Sequence, residues 1–543
     1  MTTRTHVAVA LCGDLESETG LEPAAVARGL RESLPDIRVD IVPGLCRSPE
    51  HMPSLASRAG AGRIALGLCA RPTGNDEFQA WSRKAGLDPF AVELVNLNGG
   101  ESAETAVLVL AGAVARLRAF PGSRPEELKL RLFSFEQRRS RRSLFTLPPT
   151  TYAAVASIEE ASCLGQQRCG RCISTCPFSA IGSAGGKVTV DRKQCESCGL
   201  CVTACPTNAI GLPGSALAQY EAEIAALLAA DQPNLLLTCR QAACTQAEGN
   251  RVAALSAGWL PVEVPCLGMV TPGWILQALA RGASTIALLG CGERCRSDRA
   301  TVGRERLDFV RELLHLLGES APSQKVLWMD PGSALTQADA GPASTRDRSD
   351  DRAISLLEPA ATTAAAMALA ERYGAPPVIS LTHAGSPLGM VKLREETCTA
   401  CGACAAVCPT EALLCEEGAR GETVISFEAG RCVACGNCVS ACPEAALDTL
   451  SVHAGIVPAT LVHGRTALKR AASTHCRQCG RAIAPDAMLN RIRTLLEGDE
   501  ASGPLIAILT QLCSDCRALG SDPSVGGKEP GPVLASAEPG LGS

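Results

Sequence analysis

Cys195-Glu-Ser-Cys198-Gly-Leu-Cys201-Val-Thr-Ala-Cys205-Pro206 sets four cysteines in the spacing C-x2-C-x2-C-x3-C, followed by proline. The same spacing returns at Cys398, Cys401, Cys404 and Cys408-Pro409, and again at Cys432, Cys435, Cys438 and Cys442-Pro443. An altered copy occupies Cys163, Cys169, Cys172 and Cys176-Pro177. Three thiolates on one tight loop can hold three points of a compact polynuclear centre, which leaves the fourth to reach a neighbouring one. Proline after the last cysteine removes a backbone donor and restricts the entry to the next turn. Disulfides and zinc are the competing readings. Cysteines in CxxC arrays behind no secretory leader read as metal ligands rather than disulfides. Structural zinc uses two separated CxxC pairs, not a repeated three-plus-one run with a trailing proline.

This spacing is the ligand run of bacterial [4Fe–4S] ferredoxins, in which the last cysteine of each run ligates the other cluster of the pair. Crosswise sharing predicts that Cys205 completes the set of Cys163, Cys169 and Cys172, and that Cys176 completes that of Cys195, Cys198 and Cys201. In the second module Cys442 completes Cys398, Cys401 and Cys404, and Cys408 completes Cys432, Cys435 and Cys438. An aliphatic follows each Cys-Pro at a fixed offset (Ile181, Ile210, Leu413 and Leu447), and these side chains are expected to wall the clusters from water. In the altered run Gln166 stands where the first cysteine normally lies. Cys163 is expected to serve instead, because a longer loop costs little extra entropy.

A chain of 543 residues is expected to form several domains. Aromatics are 3% of the residues, so the cores must be built from Ala, Val, Leu and Ile. A net charge of −5 argues against nucleic acid as a main partner. No run of 18 apolar residues occurs, so no membrane span is expected. The opening residues run straight into a strand-like segment rather than a targeting peptide. With 29 cysteines kept reduced, an oxygen-sensitive protein of the cytoplasm is the expectation.

The expected fold is multidomain, α/β plus α+β. It comprises two parallel-sheet α/β domains, two ferredoxin-like two-cluster modules and a small C-terminal CxxC/CxxC metal-binding segment. The boundaries read 1–120 (α/β), 121–152 (basic linker), 153–214 (ferredoxin module) and 215–330 (α/β). They continue as 331–385 (linker and helix), 386–452 (ferredoxin module), 453–520 (CxxC/CxxC segment) and 521–543 (disordered tail).

In the first α/β domain, strands are expected over about 6–11, 39–42, 63–68 and 91–97, with helices over about 22–33, 76–85 and 103–117. Alternating strands and helices imply a parallel sheet. Cys12, Cys46 and Cys69 then all fall at strand carboxyl ends, where open α/β sheets place ligand sites. Three converging thiolates would hold most of a cluster; three small buried hydrophobes is the alternative, and spacing does not choose. The second α/β domain is expected to have a helix over about 215–230 and strands near 235–238, 262–264 and 285–289. Cys239, Cys244, Cys266, Cys291 and Cys295 cluster at their ends, which points to a cluster site. Arg138, Arg139, Arg141 and Arg142 read as solvated surface, with a docking patch for an acidic partner as the alternative. Cys476-x2-Cys479 and Cys513-x2-Cys516 flank an expected helix over about 485–497 and have the pairing of a zinc site.

The N-terminal segment resembles the N-terminal domain of the flavin-bearing, A-type subunit of heterodisulfide reductase. The residues that carry this are Val9-Ala-Leu-Cys12-Gly13, Cys46, Gly67-Leu-Cys69-Ala-Arg-Pro72, Ala85-Gly-Leu-Asp-Pro89 and Val95-Asn-Leu97. The resemblance implies an additional [4Fe–4S] cluster, although Asn98-Gly-Gly-Glu101 stands where the family's next cysteine is expected. The family's flavin domain is absent, since no G-x-G-x-x-G follows a strand, so no flavin is expected in this chain.

Residues from about 233 to 318 resemble the delta subunit of methyl-viologen-reducing hydrogenase, through Cys239, Cys244, Pro265-Cys-Leu-Gly-Met-Val-Thr-Pro272 and Gly290-Cys-Gly-Glu-Arg-Cys295. That resemblance implies a [2Fe–2S] cluster and electron traffic between a hydrogenase or formate dehydrogenase and a heterodisulfide-reductase-type subunit. The C-terminal third is similar to polyferredoxin-like proteins associated with formate dehydrogenases, through Cys476 to Gly480 and Cys513 to Arg517.

The expected function is single-electron relay by four [4Fe–4S] clusters, with a [2Fe–2S] cluster, an N-terminal cluster and zinc in addition. No residue set offers acid–base or nucleophilic chemistry, and the seven histidines show no ligand spacing, so catalysis would belong to a partner subunit. An accessory or maturation protein, or a redox sensor switched at Cys476 to Cys516, is the alternative.

Overall fold

The structure, a computed structural model, describes residues 6–47, 51, 54–55, 62–69, 78, 82–98, 102–131, 151–230, 233–240, 258–295, 300–331, 354–357, 359–374, 381–456, 464–496 and 510–518. The chain divides into two compact units. The first takes in Met1–Leu393, Ala403–Leu413 and Phe427–Thr466; the second takes in Arg394–Gly402, Leu414–Ser426 and Ala467–Ser543.

The first unit opens on the strand Val7–Cys12, buried along its whole length. Such a strand must be apolar throughout, because helices cover both faces of a parallel sheet. It pairs in parallel with Arg38–Val42 on one side and Arg63–Leu68 on the other, and Val92–Asn96 completes the sheet beyond the latter. Numbered by sequence, the spatial order is second, first, third, fourth. Helices supply the crossovers that parallel pairing requires. Pro23 starts Pro23–Ser33, where its missing N–H costs nothing. Ser102 caps Ala103–Arg118, its hydroxyl accepting from the Thr105 N–H at 3.1 Å.

A second parallel sheet repeats this order with Asn234–Cys239, Trp259–Val264, Thr285–Leu289 and Val326–Met329. In both sheets the crevice of an open α/β fold lies between the first and third strands. The two domains meet through the helices Ala103–Arg118 and Leu217–Leu227. Gly112 permits the approach, since a Cβ there would sit 3.1 Å from the Leu227 side chain. Arg116 is buried at this seam. It donates to Glu223 at 2.7 Å and to the Gly214 carbonyl at 2.6 Å, and lies 3.0 Å from Glu93. Two carboxylates share one guanidinium, and burial pushes the Glu223 carboxyl up to about 7 against the pull of Arg116.

Between the two domains in sequence comes the first ferredoxin-like module, with antiparallel pairs Ser157–Ile158 with Ile210–Gly211 and Ile181–Ala184 with Lys187–Val190. The regular cysteine runs share one backbone device. Ser197, Ala400 and Ala434 take φ of 56°, 54° and 52°, and Gly199, Gly402 and Gly436 each take 77°. Left-handed residues on either side of the second cysteine curl the loop so that its thiols face inward, and glycine takes the second of these positions without strain.

The second unit contains most of a three-stranded sheet, Leu413–Glu417, Thr423–Glu428 and Arg465–Ala471, in that order. It also holds the hairpin Ser473–His475 with Ala482–Pro485 and the helix Asp486–Leu496.

The strand positions follow the sequence reading closely. Half of the helix expected near 76–85 falls outside the described residues, and the run Arg138 to Arg142 and Cys244 fall wholly outside them. Within 121–152, Leu128–Arg131 is a strand pairing antiparallel with Thr151–Ala154, consistent with its Leu-Lys-Leu-Arg alternation.

Candidate metal centres

Three cavities in the first unit each collect four cysteines. One is lined by Cys195, Cys198 and Cys201 of one run and Cys176 of the other, with Ile181. The second is lined by Cys163, Cys169, Cys172 and Cys205, with Ile210. The third is lined by Cys432, Cys435, Cys438 and Cys408, with Leu413. Each therefore takes three thiols from one run and the fourth from its partner. Backbone N–H groups aim at two of the exchanged sulfurs: Ala180 at Cys176 (3.3 Å) and Ala209 at Cys205 (3.2 Å). Such bonds stabilise negative charge on sulfur and tune a cluster's potential.

Burial pushes the thiols up, to about 11 at Cys172 and Cys432 and about 12 at Cys198 and Cys438. Metal loading at these positions must therefore release protons.

Ile181, Ile210 and Leu413 are buried against these cavities. Leu447 is not: it is 42% exposed. The short turn Ala445–Leu447 ends on Asp448 in the left-handed region, and the side chain is left on the surface. Its expected shielding role is withdrawn.

In the altered run Cys163 lines the cavity, whereas Gln166 is exposed and accepts from the Ser183 hydroxyl. Cys163→Ser is expected to cost one cluster of the first module, seen as a loss of about four iron atoms per chain. Gln166→Ala is expected to leave both iron content and the EPR spectrum unchanged. An unaltered cubane signal in Cys163→Ser would refute the ligand assignment.

The fourth set is divided between the units: Cys398 and Cys401 fall in the second, Cys404 and Cys442 in the first. Cys415, absent from every motif, lies in the second unit beside Cys398 and Cys401. Burial and those two neighbours raise its thiol. A Cβ on Gly402 would sit 3.0 Å from its sulfur. Motif spacing gave no sign of it, because a strand (Leu413–Glu417) delivers it from outside the run.

At the second parallel sheet, Cys239 ends the first strand, Cys266 follows the second and Cys291 follows the third; all three are buried. Cys295 is half-buried after the turn Gly292–Arg294. The hydrogen bond with Cys239 raises the Cys291 thiol, helped by burial and by Cys295. Cys239, Cys291 and Cys295 thus share one locus.

The N-terminal sheet places its cysteines equivalently: Cys12 ends the first strand, Cys46 follows the second and Cys69 follows the third. Their sulfurs lie 3.7 Å (Cys12–Cys46), 3.1 Å (Cys46–Cys69) and 3.6 Å (Cys69–Cys12) apart, all buried. They form one of two tight ligand groups among the described residues, and no fourth ligand joins them there.

The other tight group is Cys476, Cys479, Cys513 and Cys516, whose sulfurs all lie within 4.8 Å of one another. Cys479 and Cys513 are 3.5 Å apart. A tetrahedral zinc site with ~2.3 Å bonds sets its sulfurs about 3.8 Å apart. Gly480, at φ 74°, closes a turn in which its N–H donates to the Cys476 carbonyl at 2.9 Å. The backbone N–H of Cys513, with those of Cys479 and Gln478, pulls the Cys476 thiol down to about 6.

Comparison with known families bears on three of these regions. The family model for the methyl-viologen-reducing hydrogenase delta subunit matches residues 235–339. A 4Fe-4S dicluster domain matches residues 397–446, and a 4Fe-4S binding domain matches residues 188–211. No curated protein matches the chain. The chain is therefore an iron–sulfur protein that combines ferredoxin-type 4Fe-4S domains with a segment similar to a hydrogenase delta subunit. Among the described residues no helix is long and apolar enough to cross a membrane.

Proposed function

We propose that this chain is an electron-transfer subunit that relays single electrons between a partner dehydrogenase, of formate dehydrogenase or hydrogenase type, and a heterodisulfide-reductase-like or other acceptor. The observation that carries the reading is the set of three four-cysteine cavities, each drawing its fourth thiol from the partner run. The delta-subunit match supports a hydrogenase-type partner. In this reading the cavities hold [4Fe–4S] clusters, and Cys398, Cys401, Cys404 and Cys442 hold a fourth. Cysteines among Cys239, Cys244, Cys266, Cys291 and Cys295 hold a [2Fe–2S] cluster. Cys476, Cys479, Cys513 and Cys516 hold zinc, and Cys12, Cys46 and Cys69 hold a further centre. Bound clusters supply the redox chemistry; the chain's own groups orient the sulfurs, exclude water and adjust local charge. The chain would work in the cytoplasm with catalysis left to its partners.

The test is iron content and reversible reduction of the anaerobically loaded chain. Roughly 16 or more iron atoms are expected, from four cubanes, and most should reduce and reoxidise reversibly with a low-potential donor. Iron near eight would remove one module from the relay. Clusters that never reduce would favour an accessory role.

A further inference from the structure

The two ferredoxin modules touch at their cluster loops, and the contact is specific. Arg171, between Cys169 and Cys172, donates from Nη1 to the carbonyl of Val433, between Cys432 and Cys435, at 2.7 Å. In return Asn437, between Cys435 and Cys438, donates from Nδ2 to the carbonyl of Arg168, next to Cys169, at 2.7 Å. These residues belong to the same compact unit. Two reciprocal bonds between loops fix both the distance and the orientation of whatever those loops hold. The facing cavities are those of Cys163, Cys169, Cys172 and Cys205 and of Cys432, Cys435, Cys438 and Cys408.

The opposite side of the first module faces the delta-like domain. Gly199, beside Cys198, lies so close to the turn after Cys266 that a Cβ would sit 2.7 Å from the sulfur of Met269. The helix Leu200–Ala204, which carries Cys201, packs on the turn Leu267–Met269 that follows Cys266.

We propose that electrons pass through this unit in one fixed order: from the delta-like cysteine site to the centre of Cys195, Cys198, Cys201 and Cys176, then to that of Cys163, Cys169, Cys172 and Cys205, and across the Arg171–Asn437 junction to that of Cys432, Cys435, Cys438 and Cys408, or in reverse. Arg171 and Asn437 are the positioning residues of the inter-module step. Clusters held by these cysteine sets would supply the redox chemistry, each giving up one electron as its neighbour gained it, with no bond made and no proton required. The first electron comes from a low-potential one-electron donor. This order rests on the relay reading above.

Arg171 has a second role at the junction. It stands between Cys169 and Cys172 in one module, and its guanidinium lies on the Val433 carbonyl, next to Cys432, in the other. A cation beside a cluster favours the added electron, so one side chain should set the potentials of two centres together. The test is an EPR-monitored redox titration of the loaded full chain. Arg171→Ala and Arg171→Gln are each expected to move the midpoint potentials of two centres to more negative values, and Arg171→Lys to restore both. Adding Cys435→Ala to Arg171→Gln should remove one of the two shifted centres and leave the other. Arg171→Gln keeps a donor for the Val433 carbonyl and serves if Arg171→Ala loses iron. A shift confined to one centre, or no shift, in a variant with full iron content overturns the junction. A parent chain holding about half the iron expected for four cubanes overturns the relay reading instead.

Discussion

Stripping the metal from Cys476, Cys479, Cys513 and Cys516 is expected to unfold the segment around them while leaving the ferredoxin modules loaded. The reason is how little else holds that segment together. Among the described residues its buried cluster consists of Cys476, Cys513 and Cys516, with Ile483 and Leu512 packed against them. The hairpin Ser473–His475 with Ala482–Pro485 is short and irregular at Thr474/His475, and an isolated hairpin is marginal in water. In such a segment the free energy of metal binding is the free energy of folding. The polar contacts that remain, such as Arg481 with Asp515 at 2.6 Å, are exposed and contribute little. Zinc fits better than a cubane, because a single ion draws four sulfurs closer than four corner irons do, and the described ferredoxin cysteines do not reach this spacing. Metal analysis of the full chain should give about one zinc, lost in Cys513→Ser. Chelation should open protease sites between residues 467 and 518 without bleaching the iron chromophore. Extra iron in place of that zinc would overturn the assignment and add a centre to the relay.

Strand positions were legible because parallel strands buried on both faces are continuous apolar runs. Arg63–Leu68 and Thr285–Leu289 fall at the residues expected. Three cavities bring together the cysteines that crosswise sharing groups, while Cys398, Cys401, Cys404 and Cys442 are divided between the units. What sequence did not show is long-range. Arg171 and Val433 are 262 residues apart, and nothing in either run marks the other as its neighbour. Nor does sequence mark Arg116 for burial; the packing of Ala103–Arg118 on Leu217–Leu227 does that. Leu447 repeated a fixed offset, yet the backbone after Cys442 turns differently from that after the other three runs. Periodicity fixes which residue type stands at a position, and the local turn decides where it points.

The strand order that the two α/β domains share was also hidden. Arg63-Ile-Ala-Leu-Gly-Leu-Cys69 and Thr285-Ile-Ala-Leu-Leu-Gly-Cys291 are short and unremarkable alone. With both sheets in the order second, first, third, fourth, and a cysteine closing each of the first three strands, the two sites occupy the same place in the same fold. They differ in ligand supply. The second domain adds Cys295 one turn beyond Cys291, while the N-terminal trio gains no fourth ligand among the described residues.

That difference predicts where a two-iron centre resides. The loaded full chain should give, on reduction, a rhombic [2Fe–2S] EPR signal that persists at temperatures where cubane signals have broadened. Cys291→Ala should abolish it with a loss of about two iron atoms per chain, since a two-iron centre needs four thiolates and Cys291 lies at the locus shared with Cys239 and Cys295. Cys266→Ala tests the second strand's ligand in the same way. Here the site is supported by the Gly268 N–H, which donates to the Cys266 sulfur at 3.4 Å and would stabilise a thiolate there. Cys69→Ala, at the equivalent position of the N-terminal sheet, should leave that signal untouched. The domain itself should survive the loss of its cluster, because its sheet is buried by Trp259, Trp274 and Phe309 and does not depend on metal for a core. Loss of the signal in Cys69→Ala with its retention in Cys291→Ala would move the two-iron centre to the N-terminal domain and leave the second site as structural cysteines.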